Sequence, residues 1–216
     1  MIQKRYTLLY IAAIFSSLLL TSCGAENNMK KGEKALALGE YYDAGMQFQK
    51  AYRRTPTTDH ELRGKRARKM AQCFDKINQS YKAMSAYANA IRYKQATLDD
   101  RLAYARLLLK NGDYKKAEKE FTLLKDSMPD NPLVVNGLLS AEQAPIWKKE
   151  GSRYKVKRMA QFNSSRDDYS PMLYGDEFDQ LYFTSTRNDA QGDNLSGITG
   201  TKNADIFLSE KDDKGH

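Results

Sequence analysis

Histidine is scarce in this sequence, and the motifs that commonly carry catalysis are missing. Only two of the 216 residues are histidine: His60, in a predicted loop between helices, and His216, the last residue. No Gly-x-Ser-x-Gly elbow, zinc-ligand cluster or phosphate-binding glycine loop occurs in the sequence. The sequence therefore gives no support for an enzyme, and we expect neither a catalytic residue nor a bound metal.

Acidic residues near the C-terminus form no calcium-binding pattern. Asp189, Asp193 and Asn194 belong to a long polar stretch, but their spacing fits no calcium loop. Other acidic residues fall at predicted turns, where aspartate commonly bonds to the backbone: Asp167, Asp168, Asp176 and Asp179. We interpret the first group as solvated turn residues and the second as turn residues that cap the backbone.

Long apolar runs are also missing, apart from one at the start of the chain. Lys4 and Arg5 precede an almost purely apolar stretch of 15 residues, Tyr6–Leu20. A membrane-spanning helix needs about 20 such residues. A positive region, a short apolar region and small residues before a cleavage site are typical of a secretory signal. The sequence therefore predicts an exported protein whose residues 1–22 form a cleaved leader.

The end of this leader, Leu-Thr-Ser-Cys at residues 20–23, resembles a bacterial lipobox. In such a motif the signal peptidase cuts before the cysteine, here between Ser22 and Cys23. The resemblance implies a lipid on Cys23, the only covalent group that we expect, and a short tether over residues 23–28. Two or three acyl chains hold a protein stably to a membrane. An ordinary signal peptide with a chance cysteine is the alternative.

The other cysteine, Cys73, has no partner once Cys23 carries lipid, so no disulfide framework is expected. Cys73 lies beside Phe74 in a helical pattern. It is predicted to pack as a small hydrophobic residue.

Basic and acidic residues are unevenly distributed along the chain. The formal net charge is +8, yet from Ser170 onward four Lys and Arg residues face nine Asp and Glu residues. This division indicates two units with different surfaces. The excess of basic residues before Ser170 makes nucleic acid a candidate partner. An exported lipoprotein rarely meets nucleic acid, however, and we expect no such partner.

Three stretches share one spacing: Gly39–Pro56, Asn78–Ile91 and Gly112–Pro129. Each contains a turn residue, a tyrosine, a small residue, an aromatic residue four positions later and an apolar residue three positions after that. The sets are Ala44, Phe48 and Ala51; Ala83, Tyr87 and Ala90; and Ala117, Phe121 and Leu124. On a helix these positions form one stripe, which is predicted to face the core.

A partner helix is predicted before each stripe, over Met29–Leu38, Leu62–Lys76 and Leu98–Lys110. Each helix pair buries its apolar face only by stacking on the next pair, which is the arrangement of a solenoid. The period and key positions resemble the tetratricopeptide repeat family, most fully in the third stretch: Gly112, Tyr114, Ala117, Phe121 and Pro129.

The second stretch departs from the family pattern because Asn78 replaces the turn glycine. The resemblance implies a mainly α-helical solenoid over residues 29–144, with a further helix near 132–144 capping its open end. A helical bundle with chance periodicity is the alternative.

Tetratricopeptide solenoids bind partner segments in a groove lined by the first helix of each pair. Carried over to this chain, the groove positions are Lys65, Arg68, Gln72, Lys76, Arg106 and Lys110. Intervals of three and four place each set on one helical face. The resemblance implies a basic groove for an acidic or carboxylate-ended peptide. A solvated basic surface is the alternative.

After Pro145 the apolar period changes to two, which predicts strands. Arg153–Phe162 alternates basic residues with Tyr154 and Val156. Within a linker of residues 145–167, Tyr154–Phe162 is predicted as a possible outer closing strand for the last blade of a longer chain. Three further strands are predicted: Tyr169–Tyr174, Gln180–Thr186 and Ala204–Lys211. A turn is predicted around Gly175–Asp179 and a long loop over Arg187–Asn203.

Residues 168–208 resemble one blade of a WD40-like β-propeller of the PD40 type. The matching residues are Tyr169–Pro171, Gly175, Leu181–Ser185, Arg187 and Asp205–Phe207. A blade has four strands and a propeller about four to eight blades. Residues 168–216 are therefore predicted to form one incomplete blade, and we interpret the chain as a piece of a longer protein. A tail that pairs with a partner is the alternative.

The order lipobox, helical repeats and PD40 blade is similar to the OmpA-family lipoproteins of Bacteroidota, some of which belong to the type IX secretion system. The resemblance implies a non-enzymatic outer-membrane lipoprotein on the periplasmic face that binds envelope or secretion proteins. The family's peptidoglycan-binding module does not occur in these residues. Two alternatives are a general envelope-integrity lipoprotein and the N-terminal part of a propeller-gated peptidase.

Overall fold

A computed structural model describes residues 24–212, which are mainly helical with a small antiparallel sheet at the C-terminal end. This coarse prediction is confirmed. The leader and the lipidation residues Ser22 and Cys23 lie outside the described residues. The chain divides into two compact units after Gly151.

The described part of the first unit contains seven helices. The first, α1, covers residues 24–37. The others are α2 (Tyr41–Arg54), α3 (His60–Lys76), α4 (Ser80–Arg92), α5 (Leu98–Lys110), α6 (Tyr114–Ser127) and α7 (Pro132–Glu150). Each helix from α2 onward packs on the next one along the chain, and α5 also packs on α7.

The start of α1 differs from the prediction, because residues 24–28 are already helical rather than a tether. Ala25 is buried, the side chain of Arg54 donates a hydrogen bond to the carbonyl of Gly24, and Arg66 pairs with Glu26 at 3.3 Å. These tertiary contacts hold the first helical turn in place.

The repeated stripe is buried, as the spacing predicts. Of its nine residues, Tyr87 is 3% exposed and the others are fully buried. The rings pack directly against the backbone of a neighbouring helix where that helix has glycine. A Cβ atom added to Gly32 would lie 2.5 Å from Phe48, and one added to Gly137 would lie less than 3.0 Å from the ring of Phe121. The aromatic residues therefore set how closely the helices approach.

The first helix of each pair ends in the same turn. Gly39, Asn78 and Gly112 all have positive φ, at 75°, 60° and 80°. The next residue in each case donates its N–H to a carbonyl five positions back: Glu40 to Ala35, Gln79 to Phe74 and Asp113 to Leu108, at 2.9 to 3.0 Å. This is a Schellman motif, in which glycine is favoured and asparagine is tolerated. Asn78 thus takes the same turn conformation as the two glycines.

Helix α7 is longer than the predicted helix near 132–144. It continues through Pro145 to Glu150 and ends at Gly151, where φ is 77°. Proline removes one backbone hydrogen bond, but the helix resumes after it. Residues 145–150, predicted to belong to a linker, are therefore helical.

The outward side of α7 also differs from that of a terminal cap, which needs a polar outer face. Its exposed apolar side chains are Leu133, Val135, Leu139, Ile146 and Trp147.

In the part of the chain that the structure describes, no helix combines the length and apolar character needed to cross a membrane.

The described part of the second unit contains one antiparallel sheet in the order β1 (Asp168–Tyr174), β2 (Gln180–Ser185) and β3 (Asp205–Glu210). These strands lie within one or two residues of their predicted bounds. Phe183 pairs with Phe207 across β2 and β3, and a bulge interrupts β1 between Tyr169 and Met172. Gly175 begins the predicted turn between β1 and β2 with φ of 91°.

The possible closing strand over Tyr154–Phe162 is not formed in the described chain, where residues 152–163 contain no strand. The N–H groups of Phe162 and Asn163 bond locally to the carbonyl of Met159. An alternating pattern specifies which side chains share a face, but a strand also needs a partner strand. This segment pairs with neither edge of the sheet in the described chain.

Candidate partner-binding surface

The predicted groove residues lie on α3 and α5, and we call them the α3–α5 face: Lys65, Arg68, Gln72, Lys76, Arg106 and Lys110. All are exposed except Arg68, which is half-buried with 39% of its side chain accessible. The structure brings five of them together around two carboxylates. Lys65 lies nearer the start of α3 and pairs with Glu61 at 2.5 Å.

The first carboxylate belongs to Asp100, which is 3% exposed at the start of α5. Arg68 Nε lies 2.5 Å from Asp100 Oδ2, and Gln72 Nε2 donates to Asp100 Oδ1 at 2.8 Å. The backbone N–H and the hydroxyl of Thr97 also donate to Oδ2, at 2.8 and 2.7 Å. Asp100 therefore caps α5 and joins it to α3 at the same time.

Burial alone would raise the pKa of Asp100, but the hydrogen bonds from Thr97 and Gln72 and the charge of Arg68 outweigh it. The pKa therefore lies below its ordinary value, and Asp100 is charged at neutral pH. Arg68 and Gln72 are occupied by this internal contact. A partner would have to displace them or bind elsewhere on the face.

The second carboxylate belongs to Asp75, which is half-buried on α3. The hydroxyl of Tyr87 donates to Asp75 Oδ2 at 3.5 Å, while Lys76, Arg106 and Lys110 act on Asp75 through their charges. Lys110 also donates a hydrogen bond to the side chain of Asn78. These three cations are thus the groove residues most accessible to a partner.

The α3–α5 face is less basic than the sequence indicates. Glu61, Asp75 and Asp100 place three carboxylates among its five cations. Asp100 had a sequence signal that the groove assignment did not use: Thr97 and Asp100 have the spacing of a capping box, which the structure forms. Asp75 had no comparable signal, because its position between helices depends on their packing.

Replacing Asp75 with asparagine is expected to stabilise the helical unit at pH 7. Burial raises the pKa of Asp75 despite the nearby cations, so the folded chain binds a proton more readily than the unfolded chain. Stability is then gained as the pH falls through the raised pKa and is fully present below the ordinary value, near pH 4. Asp75→Asn should raise the urea midpoint at pH 7 and lose this advantage below about pH 4.

The matched control for this change is Asp126→Asn on the exposed side of α6. It should leave the urea midpoint unchanged at both pH values. A lower midpoint for Asp75→Asn at pH 7 would mean that the three cations outweigh the burial of the carboxylate.

Ion pairs also connect α1 to α3. Lys69 Nζ lies 2.5 Å from Glu33 Oε1, and the buried Arg66 reaches Glu26. Arg66 also donates to Thr55 Oγ1 at 2.6 Å, and Arg63 donates to the carbonyl of Thr55 at 2.8 Å. The two arginines thereby attach the end of α2 to α3 through Thr55.

The second unit has an apolar depression on one side of its sheet, with a volume of about 800 Å³. Its apolar lining includes Leu173, Phe178, Leu181 and Phe183. The segment before β1 borders the same depression through Met159 and Phe162.

Asp168 supports one end of this sheet. Its Oδ1 atom accepts hydrogen bonds from Ser185 Oγ at 2.6 Å and from Arg187 Nη2 at 2.9 Å, and Ser164 donates to Oδ2 through its backbone N–H and its hydroxyl. The guanidinium of Arg187 also lies 4.7 and 4.8 Å from the ring centres of Phe183 and Phe207. The bond from the backbone of Ser164 is of the kind predicted for Asp168, while its contacts with Ser185 and Arg187 were not predicted.

The described residues offer no group of three or more His, Cys, Asp or Glu side chains able to hold a metal ion. His60 stacks on Tyr93 with 5.1 Å between ring centres. Cys73 is buried, and burial raises the pKa of its thiol to about 11, so it is protonated and unreactive at neutral pH.

Comparison of the chain with models of known protein families, and with curated proteins, finds no match. Function is therefore inferred from the repeated helix packing, the charges of the α3–α5 face and the motifs of the sequence.

Proposed function

We propose that this chain is a non-enzymatic, lipid-anchored outer-membrane protein whose helical unit is a tetratricopeptide-type solenoid that binds partner proteins. The observation that carries the proposal is the repeated turn at Gly39, Asn78 and Gly112. Each turn lies five residues before the small residue of its stripe, so the three pairs share one register as well as one spacing. Chance periodicity in a helical bundle does not require equal turns at equal positions.

A solenoid of this kind would place the first helices of its pairs side by side. Contacts between those helices support the arrangement. Lys69 of α3 pairs with Glu33 of α1, and Gln72 of α3 bonds to Asp100 of α5. A row of polar side chains thus crosses α1, α3 and α5, as expected of a groove that receives an extended partner segment.

The chemistry of the α3–α5 face favours a partner with carboxylates. Lys76, Arg106 and Lys110 are exposed and lie around the half-buried Asp75. Hydrogen bonds from such cations to a carboxylate are about twice as strong as bonds between neutral groups, and arginine can form two at once. The partner segment is therefore proposed to be acidic or to end in a free carboxylate.

Changing Lys76 and Arg106 to glutamate is expected to reduce recovery of the partner by about tenfold or more, because each reversal puts a like charge against an acidic ligand. Arg68 is unsuitable for this test, since a glutamate there would face the buried Asp100 and destabilise α5. The measurement is quantitative mass spectrometry of proteins captured from cross-linked envelopes. Lys115→Glu with Lys119→Glu, on the exposed side of α6, is the matched control.

Equal recovery by the Lys76/Arg106 variant and the wild type would contradict the assignment of the groove. Equal loss in both double variants would mean that net charge, rather than the α3–α5 face, controls binding.

The lipid anchor is tested at Cys23. Replacing Cys23 with serine should abolish palmitate labelling and shift the protein out of the membrane fraction, because the thiol that carries the lipid is removed. The measurement is mass spectrometry of the mature N-terminus together with fractionation. Unchanged processing and membrane attachment would contradict the anchor without affecting the proposed groove.

The assembly proposed for this protein is type IX secretion, on the resemblance to OmpA-family lipoproteins and in particular to the PorE component. Capture of secretion-system proteins through the α3–α5 face would support that assembly. Capture of only cell-wall or Tol-Pal-like proteins would support general envelope integrity instead. A hydrolase domain encoded downstream of residue 216 would support the peptidase alternative.

A further inference from the structure

The segment Arg153–Arg158, with the sequence RYKVKR, combines four cations with two exposed apolar residues and contains no acidic residue. We call it the basic segment. It forms neither helix nor strand, and all six residues are exposed. Tyr154 is 84% exposed and Val156 is 95% exposed. Folding of the described chain therefore buries almost nothing of this segment.

Most cations of the basic segment also have no counter-charge among the described residues. The guanidinium of Arg158 donates to the carbonyls of Asn163 and Ser164, which holds the end of the segment against the residues that follow it in the same unit. Among residues 24–212, no carboxylate forms an ion pair with Arg153, Lys155 or Lys157. Three cations thus alternate with two exposed apolar side chains and form no ion pair in the described chain, although Lys157 borders the apolar depression of the second unit.

We propose that the basic segment lies on the surface of an anionic phospholipid bilayer. Each Lys or Arg near such a surface is attracted to the lipid phosphates. Tyrosine prefers the level of the headgroups, and Val156 gains by leaving water for the boundary with the acyl chains. The long lysine side chains keep their ammonium groups among the phosphates while the backbone lies deeper.

Nucleic acid would also attract these cations, but the apolar side chains favour a bilayer. A nucleic acid offers phosphates to Lys155 and Lys157 and a stacking surface to Tyr154, but it offers little to an aliphatic side chain such as Val156. A bilayer accommodates all three kinds of group. This inference does not depend on the α3–α5 face.

The test places a fluorescent reporter in the segment itself, so that attachment through another part of the chain cannot imitate the result. Trp147 is the only tryptophan in the sequence. The variant Trp147→Phe, Tyr154→Trp therefore carries one tryptophan, inside the basic segment. The full chain is mixed with vesicles of phosphatidylcholine, with or without about one third phosphatidylglycerol, whose acyl chains carry bromine as a quencher.

We expect the tryptophan emission to shift to the blue and to be quenched on the anionic vesicles only. Adding Lys155→Glu and Lys157→Glu should lower the association constant for the anionic vesicles by at least about fivefold per lysine, hence by about 25-fold or more together, because each change removes one attraction and adds one repulsion. Val156→Ser should weaken quenching without removing its dependence on phosphatidylglycerol. Lys115→Glu with Lys119→Glu, of equal charge change, should leave the quenching intact.

Three results would overturn the inference. One is equal quenching on zwitterionic and anionic vesicles, and another is no quenching on either. The third is an emission shift with single-stranded oligonucleotide but not with vesicles, which would assign the segment to nucleic acid. None of these results bears on the capture of partner proteins through Lys76 and Arg106, which is a separate experiment.

Discussion

Gly137→Val is expected to destabilise the helical unit by about 3 kcal/mol, the upper end of the usual range for an overpacked core. Phe121 is fully buried, and its ring lies against the α7 backbone at Gly137. A Cβ atom alone would come closer than 3.0 Å to three ring atoms, a separation that requires the ring or the helix to move. Valine adds two methyl groups in the same place. Urea unfolding followed by circular dichroism at 222 nm measures the loss.

A second valine variant separates this clash from the helix propensity of valine. Asn136 is the preceding residue of α7 and is exposed, so Asn136→Val should change the free energy of unfolding by about 0.5 kcal/mol or less. Combining Gly137→Val with Phe121→Leu should recover part of the loss, since the smaller side chain makes room. If the free-energy changes of Gly137→Val and Phe121→Leu simply add in the double variant, the ring of Phe121 and Gly137 do not interact in solution.

Arg187→Met is expected to loosen the sheet of the second unit and to expose its backbone to hydrogen exchange. The guanidinium bonds to Asp168, to Ser185 Oγ at 3.0 Å and to the carbonyl of Phe162 at 2.6 Å. Methionine keeps much of the apolar bulk but none of these bonds. Hydrogen exchange in peptides covering β1 and β3 should accelerate by about tenfold or more, because the carboxylate of Asp168 loses its cationic partner.

The effect of Arg187→Met should depend on pH. Hydrogen bonds from Ser185 and Arg187 hold the pKa of Asp168 well below its ordinary value. A depressed pKa contributes stability that is present above the ordinary value, near pH 4, and is lost as the pH falls through the folded value. Wild type and variant should therefore differ most near neutral pH and converge in acid.

Arg166→Met provides the control, because the Arg166 side chain is exposed and carries the same charge. It should leave exchange in β1 and β3 unchanged. Acceleration of the same size in both variants would indicate that net charge, rather than the contact with Asp168, determines the opening of the sheet.

Periodicity predicted the parts of this fold that depend on local pattern. The stripe through Ala117, Phe121 and Leu124 could be identified because three helical positions on one face must share one environment. The strands β1, β2 and β3 followed from alternation and from turn residues such as Gly175. In these cases the spacing of apolar side chains along the chain determines which face of the helix or strand is buried.

The features that the sequence did not predict depend on groups that meet only after packing. Asp100 lies 28 residues from Gln72, and their contact follows from the position of α5 beside α3. The closing strand predicted over Tyr154–Phe162 is not formed for the converse reason: its alternation is present, but no strand of residues 24–212 pairs with it. Helix α7 continues through Pro145 although proline removes one backbone hydrogen bond, and the sequence pattern alone did not predict this continuation.

The buried guanidinium of Arg66 has a consequence for how the protein can be shortened. Its partners are Glu26 on α1 and Thr55 beyond α2, so a chain cut between α1 and α2 would keep the cation and lose its carboxylate. The same cut would uncover the ring of Phe48 beside Gly32. Proteolytic trimming at that point is therefore expected to lower the stability of the remaining helices, because a buried cation and an apolar ring would both lose their neighbours.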